Sequence, residues 1–223
     1  DIMNRNKNLQ ISETFLVASV LALAGGFMDT YSYLCRGGVF ANAETGNIVL
    51  FAINLGGLHW MKALHFLVPI LAFATGVIIS ESIKTKRDDL NNLHWRQIAI
   101  LIEIGILIAV AFIPQELNLL VNSIISLTCG VQVCTFAKVY GNAMSTTMCT
   151  GNLRSGTQRM HKYFMTKDRK FLREGILYYG CILFFIIGAI IGRGLITLFG
   201  ERAIIFAAAE LMIAFLAMFK SNE

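Results

Sequence analysis

Charged residues are scarce in this chain, and their scarcity excludes an ordinary soluble domain. Only 15% of the 223 residues are charged, whereas 56% are hydrophobic, and soluble domains average about 25% charged residues. Prolines are also rare, with two in the whole chain, while phenylalanine occurs 16 times. This composition predicts an all-α integral membrane protein, which we treat as a single transmembrane domain over residues 1–223.

The sequence also lacks the motifs that would indicate a metal site, a disulfide framework or an enzyme. None of the five cysteines forms a Cys-x-x-Cys pair, and the four histidines are scattered. Cysteines inside apolar runs are better explained as small packing residues. No nucleotide-binding loop, His-Glu-x-x-His motif or nucleophile–base pair is present. We therefore expect no enzymatic activity, no bound metal and no cofactor.

Six apolar runs approach the roughly 20 residues that a helix needs to cross a bilayer. They cover residues 14–35, 63–83, 96–114, 118–140, 171–196 and 202–219. A shorter apolar stretch, residues 48–58, follows the first run and cannot cross alone. The sequence therefore predicts six transmembrane helices together with at least one short helix.

Basic residues indicate the orientation of these helices, because Lys and Arg collect in cytoplasmic loops. Fourteen lie in the two tails and in the connections after the second and fourth runs. Four lie on the other side, and Lys138 falls within the fourth run. Both termini are therefore expected in the cytoplasm. The net charge of +5 reflects this topology, so we expect no nucleic-acid partner.

The two halves of the chain share a spaced set of residues. The triplet Thr45-Gly46-Asn47 recurs 105 residues later as Thr150-Gly151-Asn152. Further matches in the same order are Gly25 with Gly130, Thr30 with Thr135, Gly76 with Gly188 and Glu103 with Glu210. Each half, residues 12–114 and 117–220, contains three apolar runs. Because three is odd, the halves would enter the membrane from opposite faces, as in the inverted repeats of secondary transporters. Chance matching of apolar sequence is the alternative.

The repeated triplet has the chemistry of a broken helix. A threonine hydroxyl can cap a helix start, glycine permits a turn, and asparagine offers an acceptor and two donors. We expect Thr45 and Thr150 to cap short helices whose positive ends meet near the membrane midplane, with the asparagine amides facing a shared cavity. The alternative is a pair of tight turns at the membrane surface.

Ionisable residues inside apolar runs are functional candidates, because they are costly in a bilayer. Asp29, Glu103 and Glu210 are the carboxyl candidates for coupling to protons or cations, and Gln132 lies in the fourth run. A structural role for Glu103 and Glu210, each bonded to the facing half, is an equal alternative.

Two segments, GGFMDTYSYLCRGGVFANAETGNIVL and CGVQVCTFAKVYGNAMSTTMCTGNL, resemble the bacterial YoaK family of small membrane proteins of unknown function. The resemblance covers nearly the whole chain. In the first segment it is carried by Gly26, Asp29, Gly37, Gly38, Asn42 and the first triplet. In the second segment it is carried by Gln132, Thr146, Thr147, Thr150 and Gly151. Val133 and Cys134 replace an expected Asn-Ala pair. The resemblance implies a six-span inner-membrane protein and supplies no substrate.

Together these features predict a transporter of a small solute or ion, with its site at the interface of the two halves. The expected substrate contacts are Asp29, Asn42, Thr45, Gly46, Asn47, Gln132, Thr147, Thr150, Gly151 and Asn152. A channel of the same architecture and a non-transporting, lipid-interacting protein are the alternatives. The expected partners are the lipid bilayer, the solute and a second copy of the chain in a homodimer.

Overall fold

The computed structural model describes residues 11–86 and 92–219, and these fold almost entirely into helices. The described α-helices are α1 (Phe15–Cys35), α2 (Glu44–Gly56), α3 (Trp60–Lys86), α4 (Asn92–Val110), α5 (Asn118–Thr135), α6 (Cys149–Thr166), α7 (Arg169–Phe199) and α8 (Ile204–Ala217). Short 3-10 turns cover Ile11–Glu13, Gln115–Leu117 and Gly200–Ala203. Two-residue strands β1 (Lys138–Val139) and β2 (Asn142–Ala143) pair antiparallel.

Four segments of the described chain are long and apolar enough to cross a membrane. They are Phe15–Cys35, Trp60–Thr85, Gln115–Thr135 and Arg169–Ala217. The fourth contains both α7 and α8, which only a 3-10 turn separates. The helical membrane class is therefore shown, whereas the count of six spans remains a prediction.

The predicted fourth span is too long at its C-terminal end. Helix α5 ends at Thr135, and the chain continues into the hairpin of β1 and β2. Tyr140 and Gly141 occupy the hairpin turn with positive φ values of 47° and 77°, which ends regular helix. Lys138 consequently lies exposed in β1 and is not inside a span.

Helices α1 and α7 run parallel and touch through glycines. A Cβ added at Gly26 would lie 2.0 Å from the carbonyl oxygen of Phe185, and one added at Gly188 would lie 1.9 Å from that of Leu23. On either side of these contacts, Gly180 meets Phe15 and Gly192 meets Phe27, so residue numbers rise together along both helices and they point the same way. Close backbone approach through small residues is typical of membrane helix pairs. A larger side chain at either glycine would push the two helices apart.

Helices α3 and α5 make the same kind of contact. A Cβ at Gly130 would lie 2.3 Å from the carbonyl oxygen of Phe73, and one at Gly76 would lie 2.1 Å from that of Leu127. The Ser80 and Thr135 hydroxyls lie 3.4 Å apart further along both helices, so α3 and α5 are also parallel. The chain therefore contains two parallel glycine-lined pairs, α1 with α7 and α3 with α5.

Small residues of α7, namely Gly188, Ala189 and Gly192, could allow close helix contact in the expected homodimer, but the structure assigns that contact to this chain. Gly188 and Gly192 are buried against α1 of the same chain, with Leu23 and Phe27 within contact distance of an added Cβ. Small residues that already bring two helices of one chain together cannot also face a second copy.

A buried arginine ties together the ends of several helices. Arg36 is fully buried, and its guanidinium donates to the Tyr31 hydroxyl at 2.9 Å, the Val110 carbonyl at 3.1 Å and Asn118 Oδ1 at 3.2 Å. Glu201 lies 3.5 Å away. Arg36 is one of the four basic residues that the orientation argument places on the non-cytoplasmic side. Its planar guanidinium has five N–H donors and can therefore bond to several helix ends at once.

Candidate functional site

A cavity of about 940 Å³ lies between α1, α7 and the N-terminal ends of α2 and α6. Its volume falls in the range of small-molecule sites. Apolar side chains form much of its wall, including Phe185 and the stacked rings of Tyr33 and Phe40, whose centroids are 4.8 Å apart. Polar residues cluster at the two helix starts.

Seven of the ten predicted substrate residues line this one cavity although they come from both halves of the chain. These are Asp29, Asn42, Thr45, Thr147, Thr150, Gly151 and Asn152. The other three, Gly46, Asn47 and Gln132, do not line it. An added Cβ on Gly46 would lie 2.8 Å from the ring of Phe40, and Gln132 lines a separate cavity.

Asp29 connects α1 to the start of α2. The residue is 6% exposed, and its Oδ1 accepts the backbone N–H of Asn42 at 2.7 Å. The Asn42 amide group in turn donates to the Gly25 carbonyl at 3.3 Å. Asp29 therefore holds the loop before α2 against α1 and also lines the cavity.

The prediction that Thr45 and Thr150 cap the short helices is wrong. Helix α2 begins one residue earlier, at Glu44, and α6 begins at Cys149. The preceding residues, Ala43 and Met148, provide no side-chain cap. Both threonines lie in the first turn and face the cavity, so the triplets are helical and are not turns.

The asparagines of the triplets hold the helix starts in place. Asn47 is fully buried; its amide accepts the Phe40 N–H at 2.9 Å and donates to the Phe40 carbonyl at 2.7 Å. Asn152 donates to the Ser145 carbonyl at 2.5 Å. Both bonds reach seven residues back along the chain. The prediction that both asparagines face the cavity is wrong for Asn47, which does not line it, whereas Asn152 lines the cavity and also holds the preceding loop.

Several polar atoms at the cavity have no partner among the described residues. Asn42 Oδ1, Glu44 Oε1 and Thr147 Oγ1 are buried without a hydrogen bond, and all three residues line the cavity. Buried polar groups are nearly always paired. Unpaired atoms gathered around one cavity are therefore expected to meet a solute or ordered water.

The cavity wall also contains three charged or aromatic residues outside the predicted substrate contacts. Tyr33, Glu44 and Arg193 line it, but none was among the predicted site residues. Glu44 immediately precedes Thr45, and this position predicts a residue at an external surface, close enough to the triplet to line an entrance. Arg193 belongs to α7, and nothing in the sequence pattern places it beside α1.

Glu103 and Gln132 lie together in a second cavity of about 150 Å³. Glu103 is 2% exposed, and its Oε2 accepts the Gln132 amide at 3.1 Å. Glu103 Oε1, Gln132 Oε1 and Trp95 Nε1 have no partner among the described residues. Glu103 therefore faces protein and lies apart from the larger cavity.

Glu210 lies on α8 and is only half-buried, and its Oε2 has no hydrogen-bond partner among the described residues. It does not line either of these cavities. The environments of Glu103 and Glu210 thus differ, since Glu210 lacks an amide partner like Gln132.

Metal-binding geometry is not found in residues 11–86 and 92–219, where no three His, Cys, Asp or Glu side chains are grouped to hold an ion. The five cysteines are free thiols. Cys149 is half-buried and lines the larger cavity, whereas Cys134 does not.

The apolar helices and their packing define this chain as a multi-pass α-helical membrane protein. It belongs to the family described as "Protein of unknown function (DUF1275)", whose model matches residues 17–217. It is 32% identical over 186 residues to the UPF0700 transmembrane protein YoaK of Bacillus subtilis (strain 168), covering 78% of this chain and 80% of that protein. No solved structure matches this chain.

Proposed function

We propose that this protein transports a small solute or ion across the bacterial inner membrane, with the larger cavity as the substrate site. The observation that carries the proposal is that the starts of α2 and α6 and the buried carboxyl of Asp29 all line that cavity. Transporters commonly bind substrates at the exposed ends of short, discontinuous helices near the midplane.

An inverted repeat is the framework we infer for this site. Exchanging the halves relates the α1–α7 pair to the α5–α3 pair, and both pairs are parallel and lined by glycine. The same exchange relates the Asn47–Phe40 bond to the Asn152–Ser145 bond, again at a spacing of 105 residues. The two halves we propose are residues 12–114 and 117–220, arranged as six spans.

Both termini are proposed to lie in the cytoplasm. The basic residues at and beside the connection between α6 and α7 support this, because Lys162, Lys167, Arg169 and Lys170 are all exposed. Several residues of the original count, among them Arg5, Lys7, Arg87 and Lys220, lie outside the described residues. Exposed basic residues at helix ends on one side favour cytoplasmic placement.

Asp29 and Glu103 are the carboxyls we propose for coupling to a proton or cation. Intramembrane carboxyls are frequent in proton and ion pathways, and both are buried without a basic partner among their hydrogen bonds. Glu210 is retained as a third candidate. We propose no catalytic activity and no cofactor, and we propose no nucleic-acid partner.

Two-sided access to Cys149 tests the transport proposal. Membrane vesicles of both orientations would be treated with a charged, membrane-impermeant maleimide, and each cysteine would be read by peptide mass spectrometry. Alternating access predicts that Cys149 reacts from both sides, while Cys181, which is 1% exposed, stays unmodified as the control.

Reaction from one side only, or from neither, would refute a transport pathway through this cavity and favour the non-transporting, lipid-interacting alternative. Reaction from both sides together with solute flux that never saturates would identify a channel. A carrier predicts saturable flux in proteoliposomes.

A homodimer is a separate proposal, and a strictly monomeric mass in detergent and in nanodiscs would refute it.

A further inference from the structure

The unpaired hydrogen-bonding atoms of the larger cavity differ in kind between its two helix starts. At the start of α2 they are acceptors. Glu44 Oε1 and Asn42 Oδ1 are buried without partners, while Glu44 Oε2 is already bonded to the Asn47 amide at 3.0 Å. Asp29, also at this side, is 6% exposed. A ligand group that binds at this wall should donate hydrogen bonds and carry positive charge.

At the start of α6 the free groups are able to donate: they are backbone N–H groups and a threonine hydroxyl, which can also accept. The first turn contains no acidic residue and receives no side-chain cap, so no group of the helix itself compensates its N–H groups and positive end. Thr147 lies just before this helix, is 2% exposed, lines the cavity and has an unpartnered hydroxyl. This second, independent observation indicates a ligand with an anionic acceptor at α6.

The helix starts differ in charge because only α2 carries its own acid. Glu44 lies in the first turn of α2, where a carboxylate compensates the helix end, and α6 has no counterpart. A solute that is only anionic would meet Asp29 and Glu44. A solute that is only cationic would leave the α6 end and Thr147 unmatched.

Between the two helix starts the wall is apolar and aromatic. Tyr33 and Phe40 stack on one another, and Phe185 and Met148 also line the cavity. Burial of an apolar side chain here would contribute about 25 cal/mol for each Å² removed from water. The volume of about 940 Å³ leaves ample space for such a side chain.

We infer that the solute is a zwitterion of the α-amino-acid class with a large apolar side chain, its ammonium at Glu44 and its carboxylate at the start of α6. This inference rests on the proposed function for its physiological meaning, because it names the substrate class of the same cavity. Its structural basis is the division of acceptors and donors between α2 and α6.

Three matched probes test the inference on the purified full-length protein. They are L-phenylalanine, L-phenylalaninamide, which lacks the carboxylate, and N-acetyl-L-phenylalanine, which lacks the ammonium. The readout is the rate at which N-ethylmaleimide alkylates Cys149, with half-buried Cys134 outside the cavity as the internal reference. L-Phenylalanine should protect Cys149 at about tenfold lower concentration than either analogue, a difference of about 1.4 kcal/mol.

Two variants locate the two charged ends. Glu44→Gln should raise the protective concentration of L-phenylalanine about tenfold and leave that of N-acetyl-L-phenylalanine unchanged. Thr147→Val should weaken both carboxylate probes and spare L-phenylalaninamide. Because the Thr147 hydroxyl has no partner to lose, this variant should fold. Glu81→Gln and Thr75→Val, at exposed positions of α3, are the matched controls.

Equal protection by a singly charged analogue, or protection by none of the three probes, would overturn the inference. Neither result would affect two-sided access to Cys149, so the transport proposal would stand. Conversely, selective protection by L-phenylalanine without any saturable uptake in proteoliposomes would support the inference and refute transport.

Discussion

Replacing Asn47 by alanine should destabilise the protein because this side chain joins α2 to the preceding loop. The change removes three hydrogen bonds, two with the backbone of Phe40 and one with Glu44. Each such bond contributes about 0.5–1.5 kcal/mol net, and an unsatisfied buried group costs about 1–3 kcal/mol. We expect a loss of about 3 kcal/mol in the free energy of unfolding.

The assay is thermal unfolding in detergent followed by a thiol-reactive fluorophore. Cys129 and Cys181 are 0% and 1% exposed, so they react when the protein unfolds and serve as native reporters. About 3 kcal/mol should lower the unfolding midpoint by roughly 6–12 °C for a chain of this size.

Asn54→Ala is the matched control on the same helix. The Asn54 amide donates only to the Leu50 carbonyl one turn earlier, and alanine is the better helix former, so its midpoint should change little. Asn152→Ala removes one bond to Ser145 and should cost about 1 kcal/mol. If Asn47→Ala unfolds at the same temperature as Asn54→Ala, the structural role assigned to Asn47 is refuted.

Three further changes probe helix packing, the arginine junction and coupling. Gly26→Ala should lower the thermal midpoint by several degrees, because its Cβ would lie 2.0 Å from a backbone oxygen. The control is Gly105→Ala, whose Cβ would meet nothing within 4 Å, and its midpoint should be equal to or above that of the wild type. Equal losses in the two variants would argue against the glycine contact. Arg36→Met should cost about 3–5 kcal/mol, because it leaves the partners of a buried charge unpaired; a midpoint within 2 °C of wild type in the same assay, about 1 kcal/mol or less, would contradict this. Glu103→Gln should keep the midpoint, since an amide can still bond to Gln132, and should abolish uptake driven by a pH gradient in proteoliposomes; undiminished uptake would exclude Glu103 from coupling.

Much of the helical framework could be predicted from composition and run length. The predicted run 14–35 corresponds to α1, and the short stretch 48–58 corresponds to the later part of α2. Errors occurred where a run continued past its helix, as at Lys138, because apolar composition does not show where a hairpin turn begins. The turn depends on the backbone conformation of Tyr140 and Gly141.

The sequence predicted which residues belong to the candidate site better than it predicted what each of them does. Asp29, Thr45 and Thr150 were singled out because polar residues in apolar surroundings are conspicuous, and all three line one cavity. The roles within the triplets differ from the prediction, however: the threonines face the cavity without capping the helices, and the asparagines hold the preceding loops, with Asn152 also lining the cavity. A tripeptide can adopt either arrangement, and the one-residue difference in where the helix starts decides which side chain points inward.

The sequence by itself determined that the chain is a helical membrane protein, because apolar runs of bilayer length leave the backbone few ways to satisfy its hydrogen bonds other than helices. It also determined which polar residues needed explanation. Only the tertiary structure decided that Gly26 and Gly188 bring α1 against α7, that Arg36 joins separate helix ends, and that Glu44 and Thr147 face the same cavity. These contacts join residues distant along the chain, and they depend on backbone distances of a few ångströms that no local pattern specifies.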